Sequence, residues 1–346
     1  MKKIVFFSLL SVCFFSCKNE NKVKNVERAF YYWKSDNSLN LETENKLNSN
    51  NINKVYVKFF EVDYSEAMGN FPYDKMKDYG NLFEANDALL IVPAVFVKNE
   101  IFKFNSEKDL DKLADNIVFL INKRFGERFK RNNTFNEIQI DCDWTLSTKE
   151  KYFYLLKKIK EISRKQLSCT LRLYPYKYKE KMGIPPVDKA MLMCYNLVKP
   201  LTNSSKNSIL DITELKSYLN EKRSYPIHLD VALPVFSWAQ LYQNNQFQKL
   251  VATSKVELKS FAKNVKPMWY EVTKDTSMGW RNYYRIADQI KYEDVSAKTI
   301  QEAIAIIQKN VALDATTTIA LFDLDDYTFM NYSDEEISSF YNNFTK

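Results

Sequence analysis

Histidine is almost absent from this chain: the 346 residues hold one, His228. Catalysis through a Ser/His or Cys/His pair would hang on that residue alone. Cysteine is scarce too. Beyond Cys13 and Cys17 near the start there are only Cys142, Cys169 and Cys194, an odd and widely spaced set without a CxxC. That pattern argues against a disulfide framework and against a zinc site. All three lie in apolar runs, so buried free thiols are expected. After residue 16 no stretch is long and apolar enough to span a bilayer, which takes roughly 20 residues. Blocks of one charge sign are missing as well. The net charge is +7, with bases scattered among acids, which reads as a solvated surface and not a nucleic-acid footprint. Glycine numbers only five, few for a fold with many tight loops.

What is present begins at the N-terminus. Lys2 and Lys3 precede a 12-residue apolar run, Ile4 to Phe15, followed by Ser16-Cys17. A charged start, a short apolar core and a small residue before the cut are the parts of a secretory signal. Ser16-Cys17 resembles the lipobox of bacterial lipoproteins, with Phe14 where leucine is usual. The resemblance implies removal of residues 1–16, lipid on Cys17, and residence in the cell envelope on a lipid anchor. Residues 17–27 are polar at first and read as a flexible tether. The 330 residues left after cleavage have ample length for a large core.

Short β-rich runs then alternate with amphipathic helical stretches, the pattern of parallel strands joined by crossover helices. The expected strands are 30–34, 55–62, 88–97, 137–143, 168–174, 190–195, 227–236 and 317–323. Helix signals stand between them. Ser106 precedes a stripe of Leu110, Leu113, Ala114, Ile117 and Ile121. Ser147 with Glu150, and Ser333 with Glu336, read as capping boxes; Asp211 and Ser296 read as caps. Eight strands with helices between them predict an α/β fold, a (β/α)8 TIM barrel over 28–346. Residues 41–52 and 65–86 carry no strong helical stripe and are expected to be loops or short helices. Nearly sixty residues separate the seventh strand from its helix, so a small α+β insertion is expected at 239–296. It holds Trp269, Tyr270, Trp280, Tyr283 and Tyr284, a sugar platform or the insertion's own core.

Barrel enzymes carry reactive groups at the C-terminal ends of their strands. Strand alternation puts Asp141, Asp143 and Thr145 on one face. Burying two such carboxylates is costly unless they are hydrogen-bonded or one keeps a proton. Glu61 and Asp63 end the second strand, Asp323 and Asp325 the eighth. Glu61 and Asp143 are a candidate pair across the mouth; glycosidase chemistry needs carboxylates about 5 Å apart for retention or about 6.5–9.5 Å for inversion. His228 begins its strand, which assigns it to stability.

Asp141-x-Asp143-Trp144-Thr145 resembles the D-x-D-x-E motif of family 18 glycoside hydrolases, the chitinase and endo-N-acetylglucosaminidase group. Met193-Cys194-Tyr195-Asn196 is similar to that family's M-x-Y-D. Ala232 to Trp238 resembles its apolar-Pro-aromatic strand, and Ile319 to Tyr327 its closing strand, with Phe322 where tryptophan is common. Barrel lipoproteins of the Bacteroidetes type are similar in the same way. The resemblance implies a catalytic set of Asp141, Asp143 and Tyr195. Trp238 and Phe322, on the strands that resemble the family's, are expected to bind sugar, together with the strand-end carboxylates Glu61 and Asp323 and with Trp269 of the aromatic cluster. The partner the resemblance implies is an N-acetylated glycan, bound by a monomer without cofactor or metal. Where the family has its general acid, however, Thr145 stands, and Asn196 replaces an aspartate that tunes the acid. The positions that hold a sugar are largely kept, those that cleave it partly lost. A barrel that binds glycan without cutting it, or one that serves a protein partner, are the alternatives to an enzyme.

Overall fold

The computed structural model describes residues 23–35, 39–75, 88–129, 134–201, 205–251, 253–278, 282–325 and 327–346. Eight parallel strands form its centre: β1 (Asn25–Tyr32), β2 (Lys54–Ser65), β3 (Leu90–Val97), β4 (Glu137–Asp141), β5 (Gln166–Arg172), β6 (Lys189–Met193), β7 (His228–Pro234) and β8 (Thr316–Phe322). Each pairs with the next, and β1 pairs with both β8 and β2, so the sheet closes into a barrel. Alternation along each strand divides the side chains between two cores. On β1, Phe30 and Tyr32 face the helix layer while Ala29 and Tyr31 fill the barrel. Alanines at 29, 232 and 320 leave room inside for the rings of Tyr31, Tyr56 and Tyr195. The Tyr31 and Tyr56 rings stack at 4.9 Å, and the Tyr31 hydroxyl donates to Gln139 at 2.6 Å.

Below these rings, at the N-terminal end, the barrel interior is ionic. Lys189 lies 2.9 Å from Glu137 and 3.0 Å from Asp230, and Lys54 lies 2.5 Å from Glu27. His228 sits at the same end, between Asp230 at 3.1 Å and Asp314 at 2.5 Å. The hydrogen bond it donates to Asp230 holds its pKa above the ordinary imidazole value, against the effect of burial.

Helices cover the outside. Ser106 caps Glu107–Arg128 in a box closed by Asp109. Asp211 caps Ile212–Tyr218, Ser296 caps Ala297–Asn310, and Ser333 with Glu336 boxes Asp334–Asn342. Lys149–Ser163 differs from expectation: its N-cap is Thr148, and the Ser147 hydroxyl turns back to Thr145 at 3.0 Å. Cys142, Cys169 and Cys194 are buried free thiols.

Two further expectations are corrected. Strand β1 starts at Asn25, and Val23 is already buried, so the tether does not reach residue 27. Residues 41–52 contain a short helix, Leu41–Ser49, capped by Asn40, one of the two forms expected there. Strand β2 runs on to Ser65 and turns into an antiparallel partner, Gly69–Tyr73, where a loop or short helix was expected. Residues 76–87 lie outside the described set. A bulge between Lys58 and Phe60 turns both Phe59 and Phe60 to the helix layer and brings Glu61 back to the side of Lys58.

Between β7 and Ala297–Asn310 stands a second, antiparallel sheet of five strands. Its order is Gln246–Val251, Trp238–Gln243, Gln289–Glu293, Trp269–Val272 and Ala262–Lys266. One face buries Leu241, Tyr270, Ile290 and Tyr292 with Leu258 and Phe261 of the helix Lys255–Phe261. The opposite face carries Glu293, which is wholly buried. Its carboxylate accepts bonds from Trp238, Gln240, Lys291 and both donors of Ser208. Those bonds fasten the sheet to the loop that follows β6.

Candidate functional site

The C-terminal ends of β2, β4, β5, β6 and β8 converge on one mouth. Asp141, the last residue of β4, points into the barrel and accepts a 2.5 Å hydrogen bond from Thr170 of β5. Burial raises its pKa to about 6; the charges of Asp143 and Glu61 push the same way, while Thr170 and Arg172 oppose them. Cys142 turns back to the helix layer. Asp143 does not share the burial of Asp141, contrary to expectation. Beyond the strand end it is exposed, and Arg172 grips it through two bonds of 2.6 and 2.8 Å. Such a fork-on-carboxylate pair fixes both groups in orientation. The third guanidinium contact goes to the backbone oxygen of Asn196 at 3.3 Å.

Thr145 is exposed as well. Its backbone N–H donates to Thr148, and its hydroxyl lies 3.0 Å from Ser147 and 3.1 Å from Thr148. The position that the sequence resemblance assigns to the general acid is therefore a turn residue whose hydroxyl is engaged locally. Trp144 holds this turn in place, buried against Phe153 and Tyr152 with ring centres 5.1 and 6.1 Å away.

Tyr195 follows β6 and is fully enclosed. Its ring stacks on Phe322 at 5.0 Å and meets Phe236 edge-on at 6.2 Å. Burial first, then the charge of Asp141, pushes its phenol well above the usual range, so it remains an O–H donor. Asn196 beside it adopts a positive φ of 53°. Its side-chain oxygen is buried with no hydrogen-bond partner among the described residues. Phe322 forms the aromatic floor with Tyr31 at 5.6 Å, Trp33 at 5.8 Å and Phe236 at 5.6 Å. Asp323, joined to Phe322 by a cis peptide, is buried and its pKa is raised to about 7. Desolvation is the main cause and Asp325 adds to it, while Lys34 at 3.9 Å opposes. Glu61 pairs with Lys58 at 3.0 Å, and Lys58 also holds Asp74 at 2.5 Å with its ammonium 5.9 Å from the Trp33 ring centre. Asp63 is held by Lys98 at 2.6 Å.

The mouth therefore gathers Asp141, Asp143, Tyr195, Glu61, Phe322 and Asp323. Trp238 borders it through Phe236 at 5.8 Å, but its indole N–H is committed to Glu293. Trp269 offers no open face: it is 7% exposed, packed against Tyr242 and covered by Lys266 4.8 Å from its ring centre. Tyr270 and Tyr284 belong to the core of the insertion and Tyr283 is exposed, so these aromatics do not make one platform. Trp280 lies outside the described residues. Glu61 and Asp143 each have a cation of their own, which distinguishes them from a pair of free carboxyls.

Sequence reasoning missed Arg172, Lys58 and Trp33. Arg172 left a signal, since it ends β5 in the same inward phase as Ser168 and Thr170. Beside the Asp143–Arg172 pair lies a mostly apolar cavity of about 380 Å³, walled by Trp144, Leu146, Tyr174 and Pro175. Among the described residues no cluster of His, Cys, Asp and Glu has the makings of a metal site. The assembly can stack an apolar ring face and exchange hydrogen bonds with hydroxyl or amide groups. Two buried carboxyls, Asp141 and Asp323, can each hold a proton near neutral pH.

Neither a model of a known protein family nor a curated protein sequence matches the chain. Among solved structures the fold is similar to the spore cortex-lytic enzyme SleL of Bacillus cereus. The TM-score is 0.55, with 15% sequence identity, over 94% of this chain and 75% of that one. Chitinase ChiA74 from Bacillus thuringiensis matches with a TM-score of 0.44 and 9% identity, over 87% of this chain and 66% of that one. The xylanase-α-amylase inhibitor protein XAIP-III matches with 0.47 and 10%, over 91% and 98%. At these identities the likeness to SleL shows the barrel fold, and the two weaker matches carry no argument.

Proposed function

We propose that this chain is a lipid-anchored barrel of the cell envelope, of the family 18 glycoside hydrolase type, that holds an N-acetylated glycan without cleaving it by that family's acid. One observation carries the reading: the acid position is Thr145, whose hydroxyl is engaged in its own turn, while Asp143 is tied to Arg172. A threonine hydroxyl does not give up a proton near neutral pH. General acid catalysis typically contributes about 10²–10⁴-fold, so its loss alone would suppress cleavage of a poor leaving group. The feature suited to holding a sugar that remains is the half-buried aromatic floor of Phe322, Trp33 and Phe236. The chain acts as a monomer and needs no cofactor or metal in this reading, and nucleic acid is not its partner.

Hydrolysis through a displaced acid is the second reading. Asp323 favours it, because burial keeps a proton on that carboxyl up to about neutral pH. Calorimetry with chito-oligosaccharides, beside turnover assays on the same oligomers and on aryl glycosides, separates the two. Binding without cleavage of the unsubstituted oligomers, weakened by Asp143→Ala, is expected. Efficient cleavage of those oligomers, abolished in Asp323→Asn, would establish the displaced acid instead. Neither binding nor turnover across a broad glycan panel would remove both and leave a protein partner as the reading.

A further inference from the structure

The anchor and the mouth belong to opposite ends of the barrel. The chain enters β1 at the N-terminal end, where the N–H groups of Lys24 and Asn25 both donate to the carbonyl of Ala315 just ahead of β8. Only six residue-to-residue steps lead from Cys17 to Val23. At about 3.3–3.6 Å per residue their full extension is about 20 Å. A lipid on Cys17 therefore keeps this end of the barrel close to the bilayer.

That end is also rich in bases. The helices run back from the mouth and finish there, a few residues ahead of the next strand. Arg164 follows Lys149–Ser163, Lys309 closes Ala297–Asn310, and Lys222 lies ahead of β7; with Lys24 all are exposed. Cations near helix C-termini offset the helix dipole. Acids at this end have cations or donors of their own: Asp188 has Lys160 at 2.6 Å and the N–H of Leu167 at 2.8 Å, Asp314 has His228, and the exposed Glu161 and Glu221 pair with Lys158 at 3.3 Å and with Arg223. Two apolar side chains stand out of the same end, Leu90 at 56% exposure and Ile162 at 40%. A base-rich face with protruding apolar tips, from which a short lipid-bearing tether emerges, is complementary to an anionic lipid surface. We propose that the N-terminal end of the barrel docks on an anionic membrane, so that the mouth opens away from the bilayer toward large or immobile glycan. The inference rests on the lipid-anchor reading of Cys17.

The full lipidated chain, floated on vesicles of phosphatidylcholine with or without phosphatidylglycerol, provides the test. Nitroxide labels are placed on Lys222→Cys at the base and on Glu66→Cys, in the exposed turn beyond β2 at the mouth end; the native thiols of the barrel are buried. In phosphatidylglycerol vesicles the label at 222 should lose several-fold of its accessibility to a water-soluble nickel relaxant, and the label at 66 should lose none. Each base at an anionic surface adds roughly fivefold in affinity. Lys24→Glu, Arg164→Glu and Lys309→Glu together should therefore restore access at 222 while the lipid keeps the chain on the vesicle. Equal access at both positions in chain that floats, or shielding at 66, would overturn the orientation alone. Chain that does not float would overturn the anchor reading and the orientation with it.

Discussion

Asp323 shows how burial sets the protonation of this mouth. Its folded pKa is raised to about 7, mainly by desolvation, against roughly 3.9 in an unfolded chain. The folded state thus binds the proton more tightly. The stability this contributes is fully present below about pH 4 and is lost as pH rises through 7. Asparagine at 323 is neutral at every pH. Asp323→Asn should therefore melt higher than wild type at pH 8, by a smaller margin at pH 5 and no higher at pH 4, measured by calorimetric melts at all three. A melting difference independent of pH would show that Asp323 is ionised throughout. Arg172 is the complementary case, a cation whose two bonds to Asp143 make that carboxylate a fixed acceptor.

Among the elements, the insertion sheet is fastened to the loop after β6 through one buried side chain. Glu293 accepts five hydrogen bonds, from both donors of Ser208 and from Trp238, Gln240 and Lys291, and it is wholly buried. Burial favours its neutral form, but these donors, Lys291 first, bring its pKa below the ordinary glutamate value. Removing one partner of a buried pair leaves the other charge unsatisfied and costs about 3–5 kcal/mol. Glu293→Ala should lower stability by that order and expose residues 238–293 to limited proteolysis. Converting the pair together, Lys291→Met with Glu293→Leu, should cost much less. Equal losses in the two variants would mean that Ser208 and Trp238, not Lys291, carry the interaction. At this same scale the caps at Ser106, Asp211, Ser296 and Ser333 were legible in the sequence, because each depends on residues three apart in the chain. The box at Ser147 was not, since Thr145 and Thr148 draw its turn into a different hydrogen-bond pattern.

For the molecule as a whole, closure of the barrel puts the entry to β1 and the mouth at opposite ends, which makes the nature of residue 17 decisive. Cys17 lies outside the described residues, and the reading of it comes from the Ser16-Cys17 junction. Mass spectrometry of the membrane fraction should find a diacylglyceryl-modified N-terminus on chain that begins at residue 17. Cys17→Ser should abolish both processing at that junction and membrane retention. A serine variant that is still cut there and still sediments with membranes would show an ordinary signal peptide and another basis for attachment.

The alternation of apolar runs, their length and their caps by themselves determined eight strands, most of the helices between them, and an insertion between the seventh strand and its helix. These are local patterns, and a closed parallel barrel is the arrangement that buries them all. Inward phase at the end of β4 was equally local and put Asp141 on the barrel side, whereas Tyr195 and Phe322 came from the family resemblance and Asp323 from its place at the end of β8. Tertiary structure decided the rest. The strand stops at Asp141, so Asp143 leaves the barrel and meets Arg172, 29 residues on. The bulge at Phe59 and Phe60 returns Glu61 to Lys58. Trp269 turns into the packing of its own sheet. Each of these outcomes depends on which side chains from distant strands compete for the same buried space and charge, and no spacing along the chain encodes that competition.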